Sequence, residues 1–93
     1  MTKAEFLDVL AGGPLDAPYL HQKGRMMIEG RFEPSFKLRL ARKDVGLILE
    51  AARAAGVELR LVEAVRHSFD RAIELGHGDD DLAAAYFATA DTR

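Results

Sequence analysis

The sequence contains no cysteine and no tryptophan, only three prolines, and no apolar run near the roughly 20 residues needed to cross a bilayer. Without cysteine there is neither a disulfide framework nor a thiolate metal site, and the chain can work in a reducing compartment. No membrane partner is expected. Nor is there an excess of positive charge: Lys and Arg number 13 against 15 Asp and Glu, for a net charge of -2. A nucleic-acid partner usually leaves a basic footprint, so none is expected here. The segment Met1–Leu7 lacks the charged-then-apolar layout of a signal peptide, and the cytoplasm is the expected compartment.

Chemistry-bearing motifs are also missing. The three histidines, His21, His67 and His77, lack metal-ligand spacing, and no metal is expected. Asp79, Asp80 and Asp81 lack the ligand spacing and closing glutamate of a calcium loop, and read as the N-cap of a helix. There is no Gly-x-Gly-x-x-Gly turn, no P-loop and no Ser/His/Asp grouping. No catalytic residue is expected within this chain.

What is present is helix-forming sequence. The chain has 93 residues, enough for one domain, and is 48% hydrophobic. Alanine and leucine are abundant and β-branched residues sparse, which favours helix. Thr2 and Glu5 form a capping-box pattern ahead of a helix over Lys3–Ala11, which Gly12-Gly13-Pro14 ends. A second helix is expected over Ala17–Glu29, with Asp16 as N-cap and Gly24 in its middle. Pro34 then breaks the chain, and Ser35 is placed to cap a third helix over Phe36–Ala55. A fourth is expected over Leu59–Leu75, with Leu61, Val65, Phe69, Ala72 and Ile73 inward and an Arg66–Asp70 surface pair. Gly76 should end it in the left-handed conformation. The last helix is expected over Leu82–Thr89. The expected fold is all-α, a compact bundle of four to five helices.

The third helix is the most informative stretch. Leu38, Ala41, Val45, Ile48, Leu49, Ala52 and Ala55 form one apolar stripe, and Leu40, Asp44, Leu47, Ala51 and Ala54 a second beside it. Asp44 is thus an acid in an apolar stripe, expected to be buried and to require donors or a cation. It is either a structural acid or part of a polar docking site. Lys43, beside Arg39, Arg42 and Gly46, is either a solvated base or an anion-binding group. Gly46 costs the helix about 1 kcal/mol against alanine, which suggests close approach by a ligand or another backbone. Phe36, at the helix entrance, reads as core on burial statistics.

Taken together, Phe32-x-Pro34-x-Phe36, Leu38, Leu40, Lys43-Asp44-x-Gly46-Leu47, Ala51 and Gly56 resemble the β-hydroxyacid dehydrogenase family. That family includes 3-hydroxyisobutyrate dehydrogenase, tartronate semialdehyde reductase and glyoxylate/succinic semialdehyde reductases, and is related to 6-phosphogluconate dehydrogenase. Gly76-His77-Gly78-Asp79-Asp80-Asp81-Leu82-Ala83 is similar to its Gly-x-Gly-Asp-x-Asp-x-Ala segment, and Phe6–Gly13 to the stretch after the first long helix of its C-terminal domain. The resemblance implies the helical C-terminal domain of an enzyme that uses NAD or NADP and a small hydroxyacid or its semialdehyde. It implies that Lys43 contacts the cofactor near the nicotinamide, and that Phe36 and Asp44 shape the substrate pocket. It also implies a Rossmann domain and a helix with the catalytic lysine in a Gly-x-x-Gly-x-x-x-Lys motif. Neither is in this sequence, and Lys3, Lys23 and Lys43 do not sit in that motif. The chain alone is therefore expected to be inactive, with an uncovered apolar strip that favours a homo-oligomer. The alternative is a stand-alone helical dimerisation or interaction module that keeps the fold without the enzyme.

Overall fold

The computed structural model describes residues 1–89, and among them the chain is helical. Helix α1 spans Lys3–Leu10, α2 Pro18–Glu29, α3 Leu38–Ala54 and α4 Arg60–Ala72. A wide π-type turn, Ile73–His77, follows α4, and a 3-10 helix, Leu82–Ala88, comes last. The expected all-α class is the observed one. The end of the chain beyond residue 89 lies outside the described residues. The chain divides into two compact units, residues 1–32 and 33–93.

In the first unit the capping box forms as expected. The Glu5 amide donates to Thr2 Oγ1 at 3.1 Å, and the Thr2 amide to Glu5 Oε1 at 2.7 Å. Those bonds from Thr2 hold the Glu5 carboxyl below the ordinary carboxylate range. The cap of α2 differs from expectation: Ala17, not Asp16, is its N-cap. Asp16 accepts instead from the Gly12 amide at 2.9 Å and pairs with the His21 ring, and both contacts, Gly12 first, lower its pKa. Helix α2 runs unbroken through Gly24 because Leu7 of α1 lies there: a Cβ on Gly24 would fall 2.8 Å from a Leu7 methyl. Lys23 is buried, with its ammonium 5.2 Å from the Tyr19 ring centroid.

In the second unit α3 packs on α4 and on the 3-10 helix. Its inner side holds part of the first stripe read from the sequence, while Ile48 and Ala55 of that stripe are exposed. Leu38, Ala41 and Leu49 are buried, with Leu38 fully so. Across from them lie Ala72 of α4 and Ala83 and Ala84 of the 3-10 helix. The second stripe is a correction. Leu40, Asp44, Leu47, Ala51 and Ala54 are all exposed, because α3 has packed neighbours on one side only. Asp44 is therefore a solvated acid and needs no buried donor. Val65 and Leu61 of α4 are likewise exposed, Leu61 at 84%.

The entrance to α3 also differs from expectation. Lys37 is the N-cap, without a side-chain bond. The first amides of the helix, at Leu38 and Arg39, donate to the carbonyls of Asp80 and Gly78, each at 2.9 Å. The loop after Gly76, which has φ +100, thus serves as a backbone cap for α3.

Candidate functional site

Three of these elements meet at the head of α3: the connector Glu33–Lys37, the loop Gly76–Asp81 and the start of the 3-10 helix. Asp81 is the group that joins them. Its carboxylate is fully buried. Oδ1 accepts from the Ser35 amide at 3.0 Å, the Ser35 hydroxyl at 3.1 Å and the Phe36 amide at 3.3 Å. Oδ2 accepts from the Ala83 amide at 2.9 Å, the N-cap bond expected from the sequence. The two neighbouring acids face elsewhere. Asp79 receives Arg39 Nε at 3.3 Å and lies 3.9 Å from the Lys37 ammonium. Asp80 takes His77 Nδ1 at 2.8 Å, and the His77 ring stacks on Phe87 with centroids 4.2 Å apart.

Phe36 sits at this junction 40% exposed, so it is not the core residue that burial statistics suggest. Lys43 and Asp44 follow on α3, about 8 Å further along the axis at 1.5 Å per residue. Leu40, Lys43, Asp44 and Leu47 have the i, i+3, i+4, i+7 spacing of one helix face, and all four are exposed. The uncovered stripe and the two polar residues are therefore one surface: leucines above and below, a cation and an acid between. Lys43 makes no hydrogen bond or ion pair among the described residues.

The basic residues around Lys43 are already engaged. Arg42 turns away from this face and donates through Nε to Asp70 Oδ1 of α4 at 2.5 Å. That contact replaces the Arg66–Asp70 pair expected from the sequence, because α3 lies closer to Asp70 than a neighbour on its own helix surface. It also bears on Gly46. A Cβ there would fall 2.9 Å from an Arg42 guanidinium nitrogen, the far end of that flexible side chain, so among the described residues the close neighbour of Gly46 is Arg42. A double-mutant cycle checks this. Gly46→Ala is expected to raise stability by about 1 kcal/mol in an Arg42→Ala background, where the helix-propensity gain is free of the contact. In the wild-type background the gain should shrink or reverse, and equal gains in both would show that Arg42 does not crowd Gly46.

The donor set fits one contact with a dinucleotide, not a complete cradle. Lys43 offers a free ammonium with three donors, suited to a carbonyl, hydroxyl or phosphate oxygen. The head of α3 offers no pyrophosphate site, since its first amides are taken by Asp80 and Gly78. No cluster of three or more His, Asp or Glu able to hold a metal exists among the described residues. No helix among them is long and apolar enough to cross a membrane. An open groove of about 570 Å³ lies at the α3–α4 corner, lined by Leu49, Ala52, Arg53, Val57, Leu59 and Glu63 among others. Arg53 is ten residues from Lys43, about 15 Å along α3, so the groove is separate from the Lys43 face.

The sequence singles out Phe36, Lys43 and Asp44 as candidates and gives Asp81 only the role of a cap. The available signal was its position in Gly76–Asp81 followed by two alanines. Its reach back over 45 residues to Phe36 has no signature in spacing.

Comparison with known proteins places these features. Residues 1–88 match the sequence family described as "NAD-binding of NADP-dependent 3-hydroxyisobutyrate dehydrogenase". The uncharacterized oxidoreductase YfjR of Bacillus subtilis is 36% identical over 85 residues, covering 90% of this chain and 29% of that protein. Glyoxylate/succinic semialdehyde reductase 1 of Arabidopsis thaliana is 31% identical over 87 residues, covering 94% of this chain and 30% of that protein. The human cytokine-like nuclear factor N-PAC is 32% identical over 82 residues, covering 88% of this chain and 15% of that protein. The crystal structure of 3-hydroxyisobutyrate dehydrogenase (ygbJ) from Salmonella typhimurium shares the fold, with a TM-score of 0.80 at 22% identity over 89% of this chain and 29% of that one. This chain thus spans less than a third of each of these proteins. By the match over 1–88, it belongs to the NAD-binding, 3-hydroxyisobutyrate dehydrogenase-like family.

Proposed function

We propose that this chain acts as the helical, substrate-side domain of an NAD(P)-dependent β-hydroxyacid dehydrogenase, completed by a Rossmann domain and by the lysine-bearing helix that performs proton transfer. A single observation carries this reading, the match of residues 1–88 to that family, and Lys43 is consistent with it: it bonds nothing among the described residues and stands exposed on α3, with Asp44 beside it and leucines on either side. A free surface of that make-up suits an apolar partner domain that brings a polar ligand to its centre. The nicotinamide group, when bound, would supply hydride transfer to or from a small hydroxyacid or its semialdehyde. Lys43 would orient it through a charge-assisted hydrogen bond. Phe36 would close the apolar side of the substrate pocket, and Asp44 would bound it by charge. The chain by itself would be inactive, since it supplies one contact of the cofactor site and no acid/base lysine.

A second reading has its own support. N-PAC is named as a nuclear factor and not as an oxidoreductase, and it carries a matching segment. In that reading the exposed face of α3 serves self-association or partner docking alone. Sequencing the DNA upstream of Met1 separates the two. An in-frame Gly-x-Gly-x-x-Gly turn and a Gly-x-x-Gly-x-x-x-Lys helix are expected for the dehydrogenase. A stop codon followed by a ribosome-binding site would overturn it in favour of the module.

A further inference from the structure

We propose that Asp81 is the positioning residue for Phe36: its buried carboxylate, and not the packing of the aromatic ring, fixes where Phe36 stands at the head of α3. Packing holds the ring only in part, because 40% of the residue is exposed. Its backbone is held on both sides instead. The Phe36 amide donates to Asp81 Oδ1 at 3.3 Å, and the Phe36 carbonyl accepts from the Leu82 amide at 2.9 Å. The preceding residue is held by the same oxygen twice, through the Ser35 amide and hydroxyl. Capping the 3-10 helix needs only the Ala83 amide on Oδ2. The three donors on Oδ1 all come from residues 35 and 36, and capping does not call for them.

The charge matters as well as the shape. A fully buried carboxylate is tolerated only when donors surround it, and donors to a charged acceptor are held more firmly than donors to a neutral one. Asp81 accepts from Ser35 twice, from Phe36 and from Ala83, and so converts its own burial into rigidity of the Ser35–Phe36 connector. Asp79 and Asp80 do not share the task, since they bind Arg39 and His77. The importance of this hold rests on the reading that Phe36 lines the substrate pocket. Asp81 would then set that wall from beneath without touching substrate.

The test uses the whole chain, labelled for nuclear magnetic resonance. In Asp81→Asn, amide exchange at Ser35 and Phe36 is expected to accelerate about tenfold to a hundredfold relative to Phe69 of α4, and the Phe36 ring resonances should move toward averaged values. Leu49→Ala supplies the structural control. It opens a cavity further along α3 and should lower the melting temperature while leaving the Phe36-to-Phe69 ratio unchanged. Ser35→Ala removes one donor from an exposed residue and should give a smaller, few-fold acceleration at Phe36, which keeps the test open if Asp81→Asn does not fold. An unchanged Phe36 in Asp81→Asn or in Ser35→Ala, or an equal selective change in Leu49→Ala, would overturn the proposal. The readout belongs to this chain alone. An upstream stop codon would therefore sink the dehydrogenase reading and leave the Asp81 result standing. In the complete enzyme, the same Asp81→Asn change should raise KM for the hydroxyacid about tenfold with KM for the cofactor unchanged, a split that general destabilisation would not produce.

Discussion

A Leu40→Glu/Leu47→Glu double variant of the isolated chain is expected to be monomeric at concentrations where the wild type is a larger species, with nearly the same melting temperature. Both leucines are about half exposed, 48% and 56%, and they lie seven residues apart on one face of α3. Burying an apolar side chain of this size is worth about 1.5–3 kcal/mol, so two half-exposed leucines from each of two copies supply a few kcal/mol of association energy. Asp44 lies between them and limits the gain, since burying its charge opposes contact. An assembly through this face would therefore be weak and reversible. Placing two carboxylates in its centre should abolish it through desolvation and repulsion. The melting temperature should hardly change, because neither leucine belongs to the core and glutamate matches leucine closely in helix propensity. Sedimentation or light scattering over a concentration series decides the matter. A wild type that stays monomeric at high concentration would show that the uncovered face does not drive association.

That face also marks the limit of what the sequence reveals. Periodicity correctly places α3 and its inner stripe, Leu38, Ala41 and Leu49, because a 3.6-residue repeat reports which positions share a side. It does not report how many sides will be covered. The second stripe reads as equally apolar, and Asp44 within it reads as a buried acid. Within the second unit, α4 and the 3-10 helix pack on the other side of α3 and leave this stripe exposed. Some local signals were sound: the Thr2–Glu5 box forms, and Gly76 has positive φ. One local signal failed at Asp16, which bonds Gly12 and His21 and leaves the cap of α2 to Ala17. Others failed where a partner came from far away. Asp70 looks paired with Arg66 four residues back, yet takes Arg42 from another helix. Ser35 looks like a cap for α3, yet gives both its donors to Asp81, and α3 is capped by carbonyls 40 residues on. The pattern of α3 singles out Lys43 and Asp44, but their expected roles, and that of Phe36 as a pocket residue, came only through resemblance, because an exposed lysine carries no signal of its ligand in composition or spacing.

In the protein carrying its cofactor domain, Lys43→Ala is expected to lower kcat/KM by about tenfold to a hundredfold. That range corresponds to the loss of one hydrogen bond from a charged donor, about 1.5–3 kcal/mol. The melting temperature should not fall. Lys43 is exposed, bonds nothing among the described residues and lies mid-helix, where alanine is the better helix former. The division of the loss between constants identifies the step. A raised KM for NAD(P) with unchanged kcat would mean that Lys43 binds ground state and transition state alike; a fall in kcat alone would mean that its contact tightens during hydride transfer. Lys43→Arg keeps the charge but spreads it over a planar fork, so it should recover binding better than turnover if the ammonium must reach a single oxygen. Normal kinetics with a lower melting temperature would make Lys43 a structural residue. The exposed face of α3 would then have to be read as a docking surface alone, since among the described residues no other cation lies between Leu40 and Leu47 on that face.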